Sequence, residues 1–213
     1  MSSRDDILAS VRGNLPRVDR PLPIVPLFDG SPPASLLAAF KESLHRMGGV
    51  FLDPPVSGDP LAPVRAKIAN AKIVCLTVSE IAGNRDIAGV SKPQDLADVD
   101  FAIVRASFGV AETGSVLSDA DPRVNAVAYL AQHLIVLPDP ADIVVNLHHA
   151  YRRPEFRDRH YASFHTGPSA TADIEGVLIH GAQGVRSLSV LPIARATATS
   201  LTDANRALER VAQ

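Results

Sequence analysis

The sequence predicts an α/β fold in which helices cover both faces of a largely parallel sheet. Segments of strand character alternate with segments of helical periodicity along most of the 213 residues, as is typical of strand–helix–strand units. Several of the predicted strands are apolar almost throughout, for example "HLIVLP" at residues 133–138. Strands of this kind are expected where a sheet is buried on both faces.

Composition narrows the class of protein. Hydrophobic residues make up 46% of the chain and charged residues 21%, which indicates a globular protein. The net charge of −2 gives no basic field for general nucleic-acid binding. We see neither a signal peptide nor an apolar stretch long enough to span a bilayer, so we expect a cytoplasmic protein. The single cysteine, Cys75, cannot form a disulfide framework, a cysteine-rich zinc site or an iron–sulfur cluster by itself, and we interpret it as a small buried residue.

The N-terminal part is predicted to be a helix followed by an extended arm. Ile7, Val11 and Leu15 recur at helical spacing, and Pro16 ends the helix. Prolines then recur so often that neither a regular helix nor a central strand is expected. We therefore divide the chain into an arm at 1–32, an α/β domain at 33–193 and a C-terminal helix at 194–213. We expect the first helix to be dispensable for folding of the domain but needed for assembly with a partner.

Within the domain, each predicted element follows from periodicity and from its end signals. The strand that begins at residue 100 is expected to break at Gly109 and to continue after Gly114. Asp121 is expected to cap the next helix, with Pro122 at its first position. The predicted helices are 33–49, 60–71, 121–132, 140–153 and one that begins near 172; the predicted strands are 49–52, 72–78, 100–119, 133–138 and 184–193.

The first candidate site is the loop "GVAETGSV" at residues 109–116. Glycines on both sides let the backbone turn sharply, and ligands of open α/β sheets collect at the carboxyl ends of strands. Glu112 on this turn is the candidate catalytic residue, as a base, a nucleophile or a hydroxyl binder. Thr113 and Gly114 are candidate ligand-binding residues. The alternative is a bent or bulged strand with a solvated glutamate.

The second candidate site is the loop that contains Thr166 and Gly167. Ser169 or Thr171 is expected to cap a helix, whose free N–H groups would form an anion pocket with the nearby hydroxyls. Asp173 in the first turn partly cancels the positive end, so a ligand with hydroxyls as well as an anion is favoured. The alternative is simply a well-capped helix. The two loops would meet if both lie at the carboxyl ends of neighbouring strands.

Other kinds of chemistry have weaker signals. The fingerprints of dinucleotide-binding and P-loop proteins are absent from the sequence, and we predict no cofactor. A metal site built from His165, His180 and Asp173 is conceivable, but ordinary surface or core histidines are the favoured interpretation.

Three segments carry a resemblance to a known family. "GVAETGSVLS", "QHLIVLPDPADIV" and "TGPSATADIEGVLIHGAQG" resemble the LUD domain of the lactate-utilisation protein C family, and "RDDILASVRGNL" is similar to the start of that family. The resemblance implies a Rossmann-like open sheet of the sugar-phosphate isomerase / CoA-transferase-like type. It also implies a role in bacterial oxidation of L-lactate to pyruvate together with two iron–sulfur partner subunits.

The resemblance also implies a set of motif positions, with three departures. Gln183, Gly184 and Val185 stand where the family often has His-Gly-Pro, and His165 stands at a position that is usually apolar. The C-terminal helix lies beyond the family core. The motif positions are Glu112, Thr113, Gly114, Thr166, Gly167, Pro168, Ser169, Thr171, Asp173, Glu175, His180 and Gly181.

These observations favour one function and leave two alternatives open. We expect a non-redox subunit that works with iron–sulfur subunits, binds a small anionic ligand, does not bind nucleic acid and could form a homo-oligomer. The first alternative is an independent enzyme that uses Glu112 as nucleophile in acyl or CoA transfer or as base in sugar-phosphate isomerisation. The second is a ligand-sensing protein that uses the anion pocket without chemistry.

Overall fold

Helices and strands alternate along the chain in the computed structural model, which describes residues 3–16, 21, 23–118, 122–171, 178–180 and 184–195. The described helices are Ser3–Gly13 (α1), Leu36–Arg46 (α2), Ala62–Ile68 (α3), Pro122–Leu130 (α4), Leu147–Ala150 (α5) and Pro154–Arg157 (α6). The described strands are Val50–Phe51 (β1), Val74–Leu76 (β2), Arg85–Asp86 (β3), Phe101–Val110 (β4), Ser115–Ser118 (β5), His133–Leu137 (β6), Ile143–Val144 (β7), Phe164–His165 (β8), Ala170–Thr171 (β9), Ile179–His180 (β10) and Ser187–Val190 (β11).

The centre of the molecule is a parallel sheet with the strand order β1-β11-β6-β4-β2-β3. Every neighbouring pair along this order is parallel, so the carboxyl ends of these strands lie at one edge. Residues 101–105 of β4 pair in register with residues 133–137 of β6. The predicted α/β class is therefore confirmed.

Both faces of this sheet are covered, as the apolar strands predict. Successive side chains of a strand point to opposite faces, and the structure assigns them to two clusters accordingly. Ala102 and Val104 of β4 pack in a cluster with Phe40 of α2. Ile103, between them in sequence, packs in a second cluster with Val64 of α3.

Strand β4 continues beyond the parallel sheet and forms a second, smaller sheet. Its end, from Ala106 onward, pairs antiparallel with β5 and parallel with β7, with a bulge between Ala106 and Phe108. The predicted break is confirmed but lies one residue later than Gly109, which still pairs with Val116 on one side and with Ile143 on the other. Strand β4 ends at Val110, the chain reverses at residues 111–114, and it resumes after Gly114 as β5.

The predicted helix at 140–153 is wrong. Residues Pro140–Asp142 form a 3-10 turn, and β7 follows. Within residues 140–150, only the short helix α5 is α-helical. The physical reason is that β7 hydrogen-bonds to the end of β4, and this long-range ladder overrides the local helical periodicity. Asn146 then caps α5 by accepting a hydrogen bond from the N–H of His149.

The proline-rich arm lies against the body at α5. The Asn146 amide donates a hydrogen bond to the Leu27 carbonyl over 2.7 Å, and the Phe28 ring lies 4.7 Å from the His148 ring. Helix α1, by contrast, buries none of its residues. The predicted cap at Asp121 and residues 196–213 of the predicted C-terminal helix lie outside the described residues. In the described ranges, no helix combines the length and the apolar character that crossing a membrane requires.

Candidate functional site

The loop after β4 is a tight turn that packs against α2. The N–H groups of Ala111 and Glu112 donate to the carbonyls of Val144 and Val145, which fix the turn beside β7. Gly114 has a positive φ of 67°, and a Cβ at this position would lie 2.2 Å from the Leu44 nitrogen. Only glycine therefore lets the turn approach the end of α2 this closely.

The second loop reaches the same place through β8. Strand β8 pairs antiparallel with β5, which places Thr166 beside the start of β5. Gly167 has a φ of 73°, and a Cβ there would lie 2.0 Å from the Met47 carbonyl oxygen. The structure thus brings the two predicted loops together, but β5 lies between β4 and β8, so the two strands are not direct neighbours.

Three hydroxyl groups join the two loops. The Ser115 hydroxyl lies 2.7 Å from that of Thr113 and 2.6 Å from that of Thr166. We call these three groups the hydroxyl chain. Each hydroxyl carries one hydrogen, and the two bonds within the chain use two of them. One hydroxyl hydrogen is therefore left to donate outside the chain, for example to an anion.

An open cleft of about 470 Å³ lies over the hydroxyl chain. Helix α2, the turn after β4 and the start of α5 all contribute residues to its lining. Two cleft residues that sequence reasoning missed are Ser43 and Arg46, both from α2. The lining residues are Ser43, Arg46, Met47, Glu112, Thr113, Ser115, Leu147, Tyr151, Phe164 and Thr166.

Arg46 supplies positive charge to this cleft. Its guanidinium donates a hydrogen bond to the Ser43 hydroxyl over 2.8 Å, and its side chain is exposed. Among the described residues, no carboxylate forms an ion pair with Arg46. A basic residue in the last turn of a helix is ordinary, since it complements the helix dipole. The sequence therefore gave no signal that Arg46 faces a cleft.

Glu112 lines this cleft and also a neighbouring cavity of about 270 Å³ that Phe28 of the arm helps to form. Its carboxylate accepts a hydrogen bond of 3.1 Å from the N–H of Leu147, the first residue of α5. The side chain is otherwise exposed. Glu112 thus stabilises the start of α5 and still presents a carboxylate to the cleft, where it could accept a proton or a hydrogen bond.

Of the other predicted ligand-binding residues, those that the structure describes do not line this cleft. Ser169 lines a separate cavity beside His165, and its N–H donates to the Val185 carbonyl over 2.9 Å. Thr171 lies in β9 and pairs with Ile179 of β10, and His180 pairs with Ala170. The helix that we expect to begin near Ala172, with Ser169 or Thr171 as its cap, lies outside the described residues, and Ala170 and Thr171 just before it form β9. Asp173 and Glu175 lie outside the described residues, as do Gly181 and Gln183.

His165 is buried beside the second loop. Its side chain is 8% exposed, and its Nε2 atom has no hydrogen-bond partner in the described part of the chain. Burial lowers the pKa of His165 to about 4, so the imidazole is neutral at neutral pH. The conceivable metal site of His165, His180 and Asp173 falls partly outside the described residues, and among those described no cluster of metal-ligating side chains occurs.

Cys75 lies in β2 and is fully buried, which confirms its predicted place in the core. Burial also raises the pKa of its thiol. The thiol is therefore held in its protonated, unreactive form at neutral pH.

Comparison with known proteins identifies the family. A model of the LUD domain matches residues 68–192. An uncharacterized protein of Neisseria meningitidis serogroup B is 28% identical over 138 residues. The match covers 63% of this chain and spans only 59% of the length of that relative. A crystal structure of a DUF162 family protein from Deinococcus radiodurans has the same fold, with a TM-score of 0.56 and 15% identity over 75% of this chain and 96% of that one. Since the LUD match covers more than half of its residues, the chain belongs to the LUD domain family.

Proposed function

We propose that this chain is a non-redox subunit of a bacterial system that oxidises L-lactate to pyruvate with iron–sulfur partner proteins, and that its cleft binds a small anionic ligand. Membership of the LUD domain family supports the pathway. The single buried cysteine supports the non-redox role, because one sulfur cannot hold an iron–sulfur cluster. Electrons would therefore pass through clusters of the partner subunits.

The observation that carries the ligand proposal is the exposed guanidinium of Arg46, which forms no ion pair with a described carboxylate and lines the same cleft as the hydroxyl chain. A guanidinium binds carboxylate or phosphate oxygens through two parallel hydrogen bonds. The spare hydroxyl hydrogen offers a further donor to the same anion. Glu112 lines the cleft too, so a ligand that also carries a hydroxyl group could donate it to this carboxylate.

A titration of matched variants tests the ligand proposal. L-lactate, pyruvate and inorganic phosphate are titrated against the wild type, Arg46→Gln and Arg186→Gln, with thermal stability as the readout. Arg186 is an exposed arginine beside His133, at the amino end of β6 and thus at the opposite edge of the sheet. A ligand at a hundred times its dissociation constant stabilises the wild type by about 2.7 kcal/mol.

We expect Arg46→Gln to weaken binding of at least one of these anions about tenfold, because a charge-assisted hydrogen bond is lost. Arg186→Gln should bind as the wild type does. If none of the three anions stabilises the wild type, or if both variants are weakened equally, the cleft is not the anion site.

The partner proposal needs a separate experiment. The tagged full chain is purified from its native host grown on L-lactate, and iron and sulfide are measured in the eluate. We expect iron–sulfur proteins to co-purify and the complex to oxidise L-lactate, whereas the chain purified alone should be colourless and inactive with L-lactate. Recovery of the chain without any iron–sulfur protein under these conditions would contradict the proposal.

A further inference from the structure

The cleft is larger than an anion of the size of L-lactate needs. A cavity of about 150 Å³ is known to hold benzene, and L-lactate has as many non-hydrogen atoms as benzene. L-lactate would therefore fill roughly a third of the cleft, whose volume is about 470 Å³. The remaining space indicates that the ligand of this site is larger than L-lactate.

Apolar side chains line the cleft beside its polar groups. They belong to Met47, which directly follows α2, to Leu147 of α5, to Tyr151 and to Phe164 of β8. Met47 and Tyr151 are each 49% exposed, so a molecule in the cleft can reach them. Large apolar side chains that stay exposed in a concave site, next to a few polar groups, are typical of ligand-binding sites.

Ring contacts hold the aromatic part of this lining in place. The centroids of the Tyr151 and Phe156 rings lie 4.8 Å apart, and those of the Phe156 and Phe164 rings lie 5.8 Å apart. The Phe164 ring in turn lies 6.0 Å from the ring of Phe108, which is fully buried. We call these four rings the aromatic row. Because the row ends in the core, Tyr151 and Phe164 are positioned before a ligand arrives, which lowers the entropic cost of binding.

We propose that the cleft binds an aryl-substituted carboxylate, whose carboxylate pairs with Arg46 and whose ring packs against Tyr151 and Phe164. The guanidinium and the hydroxyl chain both offer hydrogen-bond donors to the carboxylate. The ring leaves water against the aromatic row, where offset or edge-to-face contacts between rings are favourable. This inference rests on the anion site proposed above and adds the class of ligand that the site takes.

The test compares two ligands that share one head group. L-lactate and L-phenyllactate are both α-hydroxy carboxylates and differ by one phenyl ring, whereas phenylethanol carries the ring without the charge. Each is titrated against the full chain by isothermal titration calorimetry. Arg46→Gln removes the positive charge, and Tyr151→Ala removes one ring of the aromatic row. Tyr161→Ala is the matched control, because Tyr161 is also an exposed tyrosine and does not line the cleft.

We expect the wild type to bind L-phenyllactate at least about tenfold more tightly than L-lactate, because burial of a phenyl ring is worth at least that factor. Tyr151→Ala should lose most of this difference while its affinity for L-lactate stays the same. Tyr161→Ala should bind both acids as the wild type does. Arg46→Gln should weaken the binding of both acids, and phenylethanol should bind more weakly than L-phenyllactate.

Equal affinities of the wild type for the two acids would overturn this inference and leave the anion site in place. Equal affinities for L-phenyllactate and phenylethanol would also overturn it, because the ring would then bind without the carboxylate. If neither acid binds, or if Arg46→Gln binds both as the wild type does, the anion site itself is wrong and the inference falls with it. The wild-type affinities decide the question even if Tyr151→Ala does not fold.

Discussion

At the scale of single residues, His165 gives the folded protein a specific sensitivity to acid. Burial lowers its pKa from 6.5 to about 4, so between these values the unfolded chain binds a proton that the folded chain excludes. The free energy of unfolding is therefore unaffected by His165 above about pH 6.5. It falls as the pH drops from about 6.5 towards 4, by about 3 kcal/mol in total.

We therefore predict that His165→Phe flattens the pH dependence of unfolding. Urea denaturation at about pH 7 and about pH 4.5 should show a smaller fall in the free energy of unfolding for the variant than for the wild type. The free energy of unfolding of His160→Phe, a variant at an exposed position, should fall by the same amount as that of the wild type. Parallel falls in the wild type and in His165→Phe would show that His165 is not the group responsible.

Glu112 has a structural and a candidate chemical role, and two substitutions separate them. Glu112→Gln keeps an oxygen that can accept from the Leu147 N–H, whereas Glu112→Ala leaves that N–H without its acceptor. We predict that the free energy of unfolding, measured by thermal denaturation, falls by about 1 kcal/mol in the alanine variant and by much less in the glutamine variant. If the chain is an independent transferase, thioester turnover should vanish in both. Equal loss of stability in both variants would mean that the hydrogen bond to Leu147 contributes nothing.

At the scale of elements, the site depends on how closely two loops approach the end of α2. We predict that Gly167→Ala lowers the free energy of unfolding by more than about 2 kcal/mol, because the left-handed backbone is strained and the new Cβ meets the Met47 carbonyl oxygen. Gly58 also has a positive φ, of 91°, but a Cβ there meets nothing within 4 Å. Gly58→Ala should therefore cost only the backbone strain, about 1 kcal/mol. Urea denaturation compares the two, and equal costs would show that the contact with α2 is loose.

At the scale of the whole molecule, we expect the arm to contribute to the stability of the body and α1 not to do so. Deletion of residues 1–16 should change the free energy of unfolding by less than about 0.5 kcal/mol, because α1 buries no residue. Deletion of residues 1–29 should cost about 1–3 kcal/mol, because the buried Asn146 amide loses the Leu27 carbonyl. Denaturation of both truncations measures this, and a large loss in the shorter deletion would place α1 in the core.

The exposed side of α1 leads to a prediction about assembly. Ile7 and Val11 of α1 are 60% and 55% exposed, and Leu15, which follows the end of α1 at Gly13, is 57% exposed, so together they present apolar surface. We predict that deletion of residues 1–16 abolishes co-purification with iron–sulfur proteins while the body stays folded. Unchanged recovery of those proteins would show that assembly uses another surface.

Much of the fold could be predicted because its signals are local. The apolar run of β6, the helical period of α2 and the burial of Cys75 all depend on neighbours in sequence, and the structure confirms them. The two loops with Thr113 and Thr166 could be identified in the same way, from their glycines and hydroxyls. The error at residues 140–153 falls where strand pairing with the end of β4 overrides the segment's own helical preference.

The composition of the cleft was decided by tertiary structure alone. Arg46 and Ser43 belong to α2, which precedes the range matched by the LUD domain, and they reach the hydroxyl chain only because Gly114 and Gly167 allow close packing on that helix. Sequence by itself determined the alternation of strands and helices, the place of the two loops and the lack of a thiol set for a cluster, since each is a property of residue type and local spacing. It could not determine which distant helix supplies the positive charge, because that depends on long-range packing of backbone on backbone.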